Sequence, residues 1–228
     1  MDIKEKKFVV NHDSPTKDDL FWEETNNEIS ICLKYDNRKT TFVDIGSNEG
    51  IWSFLLRDKY DFIHSFEPIK KNFNHLKHNL SDFLNVKVYN CAISDKIEEF
   101  EMVNGARPSM VGFNCGMTAR KENFVEAIKE FNNLDSEVAN EEIEKTCYFE
   151  IVNSNTLDSY CFKPSLIKID VENDEIRVLN GARKTIEKYS PVLYVEDNFK
   201  PLSEKLRDTI SSMNYVSVSE HPWIHIRK

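Results

Sequence analysis

The chain has 228 residues, 40% of them hydrophobic and 15 of them phenylalanine, which is long enough to enclose a substantial core. Its formal net charge of −9 argues against a nucleic-acid partner, because general affinity for phosphate backbones comes from lysine and arginine. No apolar run reaches the roughly 20 residues of a membrane span and the N-terminus lacks a signal-peptide apolar region, so we expect a soluble, cytoplasmic protein without a membrane partner.

The predicted elements begin with an appendage, residues 1–40, that contains a helix around Asp18 to Tyr35. From residue 41 onward, apolar strands alternate with amphipathic helices, which favours an α/β fold of parallel strands joined by right-handed crossovers. The predicted strands are Thr41–Ile45, Phe62–Phe66, Asn85–Ile93, Leu166–Val171, Pro191–Val195, about Tyr215–Ser219 and about Trp223–Ile226. We expect the last two to pair as a hairpin, and Asn180-Gly181 to interrupt the helix after the fourth strand.

The segment between the third and fourth strands is far longer than a simple crossover needs, so it should hold structure of its own. About residues 97–153 are predicted to form an insertion. It has strands near Ile97 to Val103 and Cys147 to Asn153, and one long charged helix from Glu122 to Lys145. This insertion is either a solvated surface element or a lid that walls the substrate.

A glycine-bearing turn follows the first strand, over Asp44 to Gly50. An apolar strand that ends in an acid and then glycines builds a crevice for a nucleoside-containing cofactor. The spacing is not the G-x-G-x-x-G of dinucleotide sites, and Glu49 would repel a pyrophosphate. It would be tolerated beside the ammonium and sulfonium groups of S-adenosyl-L-methionine (SAM). The predicted cofactor-binding residues of this turn are Asp44, Gly46, Ser47, Asn48 and Gly50.

The ends of the second and third strands supply further candidates for the cofactor site. Glu67 and Pro68 end the second strand, where a Rossmann-like site places an acid that binds the ribose hydroxyls. Glu67 could instead cap the following helix, and we favour the ribose role. Ala92 and Ile93 end the third strand and are predicted to contact the adenine ring.

Carboxylates also cluster at the end of the fourth strand. Asp170 and Glu172 share the pleat parity that puts both on one side of the edge where open α/β sheets bind ligands. Asp174 and Glu175 are predicted to open the next helix. Lys168, on the same parity as Asp170, is a candidate for neutralising a carboxylate.

Seven motifs in this order carry a resemblance to a known family. They are Asp44–Gly50, Phe66–Pro68, Ala92–Asp95, Thr156–Tyr160, Ile167–Glu172, Val178–Ala182 and Pro191–Glu196. Over about residues 41–197 the chain resembles the FkbM-type methyltransferases. The resemblance implies a Rossmann-like class I SAM-dependent methyltransferase domain at 41–228, with a seven-stranded, mostly parallel sheet, an antiparallel last strand and helices on both faces. It also implies O-methylation of a hydroxyl on a sugar, glycan or small natural product.

Three departures from the family pattern concern the site. Ser47 and Asn173 stand where the family usually has alanine and glycine, and asparagine tolerates the left-handed backbone better than most residues. Glu196-Asp197-Asn198 replaces an acid-then-histidine pattern after the fifth strand. A histidine is therefore not expected to act at this position.

Methyl transfer to a hydroxyl requires in-line alignment and a group that accepts the hydroxyl proton. We predict that Asp170 or Glu172 orients and deprotonates the acceptor, with Glu196 assisting. Asp170 could instead contact the methionine part of SAM. Clustered acids can bind Mg²⁺, but the sequence defines no ligand set, and we predict no metal site.

Three alternatives to a SAM-dependent O-methyltransferase remain from the sequence. A catalytically silent SAM-binding or scaffold protein would use Arg107 to Thr118 as a partner surface. A nucleic-acid methyltransferase is disfavoured by the acidic charge and by the absence of an (Asp/Asn)-Pro-Pro-aromatic motif. An NAD-dependent oxidoreductase is disfavoured by the missing third glycine.

Overall fold

A computed structural model gives the fold, and the structure describes residues 8, 19–106, 118–132, 135–197 and 204–228. Its strands are β1 Thr41–Ile45, β2 Phe62–Phe66, β3 Val86–Tyr89, β4 Ala92–Ile93, β5 Glu99–Ala106, β6 Thr118–Arg120, β7 Cys147–Asn155, β8 Leu166–Ile169, β9 Val192–Val195, β10 Tyr215–Ser217 and β11 Ile224–Arg227. Its helices are α1 Asp19–Tyr35, α2 Ile51–Leu56, α3 Lys70–Leu80, α4 Lys121–Asn132, α5 Ser136–Thr146, α6 Glu175–Gly181, α7 Arg183–Tyr189 and α8 Glu204–Ser212.

The main sheet has the strand order β10-β11-β9-β8-β1-β2-β3. Strands β1, β2, β3, β8 and β9 pair in parallel, so their carboxyl ends meet at one edge. Strand β11 runs antiparallel to both β9 and β10, which confirms the hairpin predicted for the last two strands. Residues at the strand ends therefore converge on one site even though they are far apart in the sequence.

Both faces of the main sheet are covered. On one face α1 packs against β9 and β11, and its Ile29 and Cys32 join a core with Phe42 of β1. On the other face, residues of α6, α7 and α8 pack on the inner strands. The predicted interruption at Asn180-Gly181 is present, because α6 ends there and α7 begins two residues later. No helix in the described ranges is long and apolar enough to cross a membrane.

A second sheet, in the order β4-β7-β5-β6, is built largely from the insertion. The prediction of one continuous strand from Asn85 to Ile93 is wrong, because Val86–Tyr89 pairs with β2 while Ala92–Ile93 pairs with β7. The side chain of Asn90 donates hydrogen bonds to the Glu67 and Pro68 carbonyl oxygens, at 3.0 and 2.7 Å. These bonds replace ladder pairing where the chain leaves the main sheet.

The single long helix predicted from Glu122 to Lys145 is also wrong, because two helices, α4 and α5, occupy this part of the chain. The Asp135 side chain caps the second one by accepting hydrogen bonds from the backbone N–H groups of Glu137 and Val138. Such a cap starts a new helix. The two helices share a small core with the insertion strands, centred on Val103, Phe124 and Ile143.

Candidate functional site

Two cavities open at the carboxyl edge of the main sheet, one on each side of the turn that follows β1. The first, of about 110 Å³, faces β2, β4 and the insertion, and we call it the first cavity. The second, of about 310 Å³, lies between the turn, α1 and α2, and we call it the second cavity. Both are lined by Gly46, Asn48, Asp170 and Glu172, so the two spaces meet at these four residues.

The first cavity gathers most of the residues that the sequence assigns to the cofactor. Those that line it are Gly46, Asn48, Glu67, Pro68, Ala92, Ile93 and Asp170. Ser47 lines the second cavity, whereas Asp44 and Gly50 line neither. Their direct contact with a cofactor stays a prediction, and the structure gives both of them supporting positions beneath the turn.

The turn after β1 is held very close to the end of β8. Gly46 has φ +76°, and a Cβ on it would lie 1.7 Å from the backbone oxygen of Asp170, so glycine is required there. The N–H groups of Gly46 and Ser47 both donate to the Phe66 carbonyl oxygen, at 3.1 and 2.9 Å. The turn is thus fixed by its neighbours on both sides.

Asp44 supports this turn from below. It is fully buried, accepts a hydrogen bond from Ser53 Oγ at 2.6 Å, and lies 3.6 Å from Lys168 Nζ. Gly50, at φ +90°, begins α2 and packs against Leu76 of α3.

Glu67 combines the cap role with a place in the cavity wall. Its two carboxylate oxygens accept hydrogen bonds from the backbone N–H groups of Ile69 and Asn48, each at 2.9 Å. Burial raises its pKa to about 7, although these hydrogen bonds act in the opposite direction. The cap alternative is therefore present in the structure, and the ribose role stays a prediction that the cavity position permits.

Lys168, Asp170 and Glu196 form a charged group at the junction of the cavities. Lys168 Nζ lies 3.0 Å from Asp170 Oδ2 and donates to the Gly46 carbonyl oxygen, also at 3.0 Å. Burial opposes ionisation of Asp170, but the Lys168 charge and a hydrogen bond from Glu196 outweigh it and hold the Asp170 pKa below its ordinary value. Burial and the charge of Asp170 raise the pKa of Glu196 well above its usual range.

The two carboxyl groups titrate as a pair, and their shifts run in opposite directions. Asp170 is the member that ionises more readily, with Lys168 as its counter-ion, and Glu196 is the member that holds a proton more strongly. The prediction that Lys168 neutralises a carboxylate is confirmed by its contacts with Asp170 and Asp44. Glu172 lies beside them in a left-handed turn with Asn173, at φ 53° and 73°.

The insertion contributes to the first cavity in a way that the sequence did not reveal. Phe100, Met102 and Arg120, which come from β5 and β6, line it opposite the strand ends. Arg120 is only 4% exposed. A buried arginine in a charged insertion has no distinctive sequence pattern, so no signal could have identified it.

The second cavity is acidic and aromatic. Its walls include Glu24, Thr25, Glu28, Glu49, Trp52, Tyr194, Glu196 and Trp223. The rings of Trp52 and Tyr194 lie 4.6 Å apart, and Trp223 meets Tyr194 edge-on at 6.0 Å. Tyr194 Oη donates to Glu28 at 3.0 Å, and burial raises the Glu28 pKa to about 7. The sequence analysis placed none of the α1 residues in the site.

Metal ligation has no structural support among the described residues, where no group of three or more His, Cys, Asp or Glu side chains is arranged to hold an ion. The His75 ring lies 3.8 Å from Glu49, and His225 is buried in β11. Burial lowers the pKa of His225 to about 4, so its ring is neutral. Among the described cysteines, Cys32, Cys91 and Cys161 are free thiols.

Comparison with known proteins gives a family and a set of fold relatives. The sequence profile described as "Methyltransferase FkbM domain" matches residues 44–217. No curated protein sequence matches at a significant level. Among solved structures, the FkbM methyltransferase of Methylobacillus flagellatus KT is similar at 16% identity and a TM-score of 0.49, over 83% of this chain and 44% of that one. The precorrin-6y C5,15-methyltransferase of Geobacter metallireducens GS-15 is similar at 10% identity and a TM-score of 0.45, over 97% and 88%.

The two structural similarities are too low to carry an argument, and this chain spans less than half the length of the Methylobacillus protein. The profile match carries the assignment, because it covers most of the chain and includes the turn after β1, Glu67, the end of β8 and Glu196. The predicted resemblance is confirmed, and the chain belongs to the FkbM methyltransferase family.

Proposed function

We propose that the protein is a class I, SAM-dependent O-methyltransferase whose acceptor is a hydroxyl of a sugar, glycan or small natural product. The observation that carries the proposal is the meeting of two cavities at Gly46, Asn48, Asp170 and Glu172. A methyltransferase needs one space for the methyl donor and one for the acceptor, with the reacting atoms in line between them.

We expect the first cavity to hold SAM, because most of the residues predicted to bind the cofactor line it. Gly46 lines this cavity and has no side chain that would keep a cofactor away from the backbone of the turn. Glu67, Ala92 and Ile93 line this cavity, and we expect the Glu67 carboxylate to accept hydrogen bonds from the ribose hydroxyls and the other two residues to contact the adenine. When bound, SAM supplies a methyl group on a positively charged sulfur. Asp170, at the junction, provides a negative charge beside that position.

The second cavity suits a hydroxyl-rich acceptor. Carboxylates such as Glu24 and Glu28 accept hydrogen bonds from hydroxyl groups. The rings of Trp52, Tyr194 and Trp223 supply flat apolar surface beside them. A few polar groups set among aromatic walls are typical of small-molecule sites. Sugars present both hydroxyl groups and apolar C–H faces, so they match both parts of this lining.

Asp170 is the residue that we expect to orient the acceptor. Its carboxylate lines both cavities and accepts a hydrogen bond from Glu196. An acceptor hydroxyl could take the place of Glu196 and donate its hydrogen bond to Asp170. Its oxygen would then lie at the junction, next to the first cavity. Glu172, which lines both cavities as well, is the second candidate for accepting the hydroxyl proton.

The cofactor is tested by calorimetric titration of the protein with SAM, S-adenosylhomocysteine and NAD. We expect SAM and S-adenosylhomocysteine to bind and NAD not to bind. Binding of NAD alone would contradict the proposal and would favour an oxidoreductase.

The reaction is tested by screening methyl transfer from labelled SAM to libraries of glycans and small hydroxyl compounds. At saturating SAM, the Asp170→Asn variant should transfer methyl groups at least tenfold more slowly than the wild type. Firm SAM binding with no transfer to any hydroxyl would favour the silent SAM-binding alternative. Full turnover by Asp170→Asn would remove the base role from Asp170.

A further inference from the structure

Arg120, at the end of β6, connects the insertion to the main sheet through a buried guanidinium group. Its Nε donates to Asp174 Oδ2 at 3.2 Å, and its Nη1 donates to Glu98 Oε1 at 3.0 Å. Its Nη2 donates to Ser94 Oγ at 3.3 Å, just beyond β4. One side chain thus joins three segments that are remote in the sequence.

Asp174 is the main-sheet end of this connection. It directly precedes α6 and accepts hydrogen bonds from Arg120 and from Asn123 of α4, the latter at 3.3 Å. Arg177 Nε lies 3.1 Å from Asp174 Oδ1, the same oxygen that accepts from Asn123. Asn123 also donates to the carbonyl oxygen of Asn173, at 3.0 Å. The insertion therefore holds the end of the turn that runs from Asp170 to Asp174.

This turn needs external support because its backbone is strained. Glu172 and Asn173 both have positive φ, which is unfavourable for residues other than glycine. Asp170 and Glu172, which lie at the junction of the two cavities, belong to the same turn. A shift at Asp174 would consequently move the carboxylates beside the proposed methyl donor.

Arg120 also holds the opposite wall of the first cavity. Its guanidinium carbon lies 3.5 Å from the centre of the Phe100 ring, and both residues line the cavity. The contact is a cation–π interaction in a buried setting. The carboxylates of Glu98 and Asp174 balance the arginine charge, so Arg120 does not repel a cationic ligand.

We propose that Arg120 is a positioning residue for the methyl donor: through Asp174 it fixes the Asp170–Asp174 turn, and through Phe100 it fixes the facing wall. The insertion is then part of the cofactor site, whereas α1 walls the acceptor side. This inference rests on the proposed SAM-dependent function. It predicts that Arg120 affects SAM more than S-adenosylhomocysteine, because only SAM carries the sulfonium charge that Asp170 would face.

The test is calorimetric titration of Arg120→Ala, Arg120→Lys and Lys121→Ala with SAM and with S-adenosylhomocysteine. Lys121 is the matched control, since it adjoins Arg120 but pairs with Glu101 and Glu144 at the surface of the insertion. We expect Arg120→Ala to weaken SAM binding at least tenfold and S-adenosylhomocysteine binding severalfold less. Arg120→Lys should recover part of the loss, and Lys121→Ala should stay within twofold of the wild type.

A double-mutant cycle with Asp174→Asn tests the route of the effect. If Arg120 acts through Asp174, the double variant should bind SAM about as weakly as Arg120→Ala alone. Circular dichroism on each variant, with Arg120→Lys as the milder change, establishes that the affinities refer to folded protein. Wild-type SAM affinity in folded Arg120→Ala, or equal losses for both ligands, would overturn the inference. A wild-type protein that binds neither ligand would instead overturn the proposed function.

Discussion

The two cavities are built in different ways, although they share Gly46, Asn48, Asp170 and Glu172. The first is formed mainly by the strand ends of the main sheet and by backbone held at close approach, and the insertion supplies its facing wall. The second is formed mainly by side chains of α1, α2 and β9 and by Trp223 before β11. Main-chain walls suit a ligand that stays the same, whereas side-chain walls can change with the acceptor without disturbing the sheet.

Gly46→Ala should have the largest effect, because the new Cβ would lie 1.7 Å from the Asp170 oxygen in the floor that both cavities share. We expect at least a hundredfold loss of SAM affinity, measured by calorimetry. Ser47→Ala, which removes only the hydrogen bond from Ser47 Oγ to the Asp44 carbonyl oxygen, should lower the SAM affinity by less than about tenfold. Wild-type affinity in Gly46→Ala would show that the turn is not the shared floor.

Lys168→Met should be the next most damaging change, because it leaves the buried Asp44 and the partly buried Asp170 carboxylates without their cation. Loss of one partner of a buried ion pair costs about 3–5 kcal/mol, and urea unfolding measures it. Lys34→Met is the matched control, since Lys34 pairs with Glu220 at the surface, where solvent screens the pair, and its loss should change the stability far less. Equal effects of the two changes would contradict a buried charge network at the junction.

Glu67→Gln should change the pH dependence of stability on the first-cavity side. The folded pKa of Glu67, about 7, lies above the ordinary 4.5. The protonated Glu67 side chain therefore adds to the free energy of unfolding. This addition is fully present below pH 4.5 and is lost as the pH rises through 7, by about 3 kcal/mol in total. Urea unfolding at pH 5 and pH 8 should show a smaller loss of stability in Glu67→Gln than in the wild type. Glu99 is exposed, so the control Glu99→Gln should lose as much stability between pH 5 and pH 8 as the wild type. An equal loss in Glu67→Gln would show that the pKa of Glu67 is not raised in the folded protein.

Trp223→Ala should have the smallest effect, and this effect should be confined to acceptor binding in the second cavity. Loss of its ring from the acceptor wall should lower kcat/KM for the acceptor found in the hydroxyl screen by about tenfold, or about 1.4 kcal/mol. The affinity for SAM should stay within twofold. Ile151→Ala, exposed on β7, is the control for both quantities. A parallel loss of SAM affinity in Trp223→Ala would show that the two cavities do not act separately.

The same contrast explains what the sequence could predict. Gly46, Glu67, Ala92 and Asp170 follow apolar strands, and parallel strands end at a common edge, so their convergence follows from the pattern. The turn, the strand ends and the α/β organisation were predicted on this basis. The pattern did not show that the chain leaves the main sheet after Tyr89, because the side-chain bonds of Asn90 decide that.

The second cavity could not be predicted for a related reason. Glu24 and Glu28 on α1 are surface-like acids in the sequence, and only the packing of α1 on β9 and β11 brings them to the site. Arg120 likewise gains its role from pairing with Asp174, 54 positions away. Contacts of this kind depend on tertiary packing and carry no local periodicity. The predicted silent-partner surface, Arg107 to Thr118, lies almost entirely outside the described residues.

A crystal structure with bound S-adenosylhomocysteine tests the division of the site most directly. The account predicts the adenosine in the first cavity, with its ribose at Glu67 and its adenine between Ala92 and Phe100. The sulfur should lie at the junction beside Gly46 and Asp170, with the second cavity left open to an acceptor. Adenosine bound between α1 and Trp223, or sulfur remote from Asp170, would contradict it.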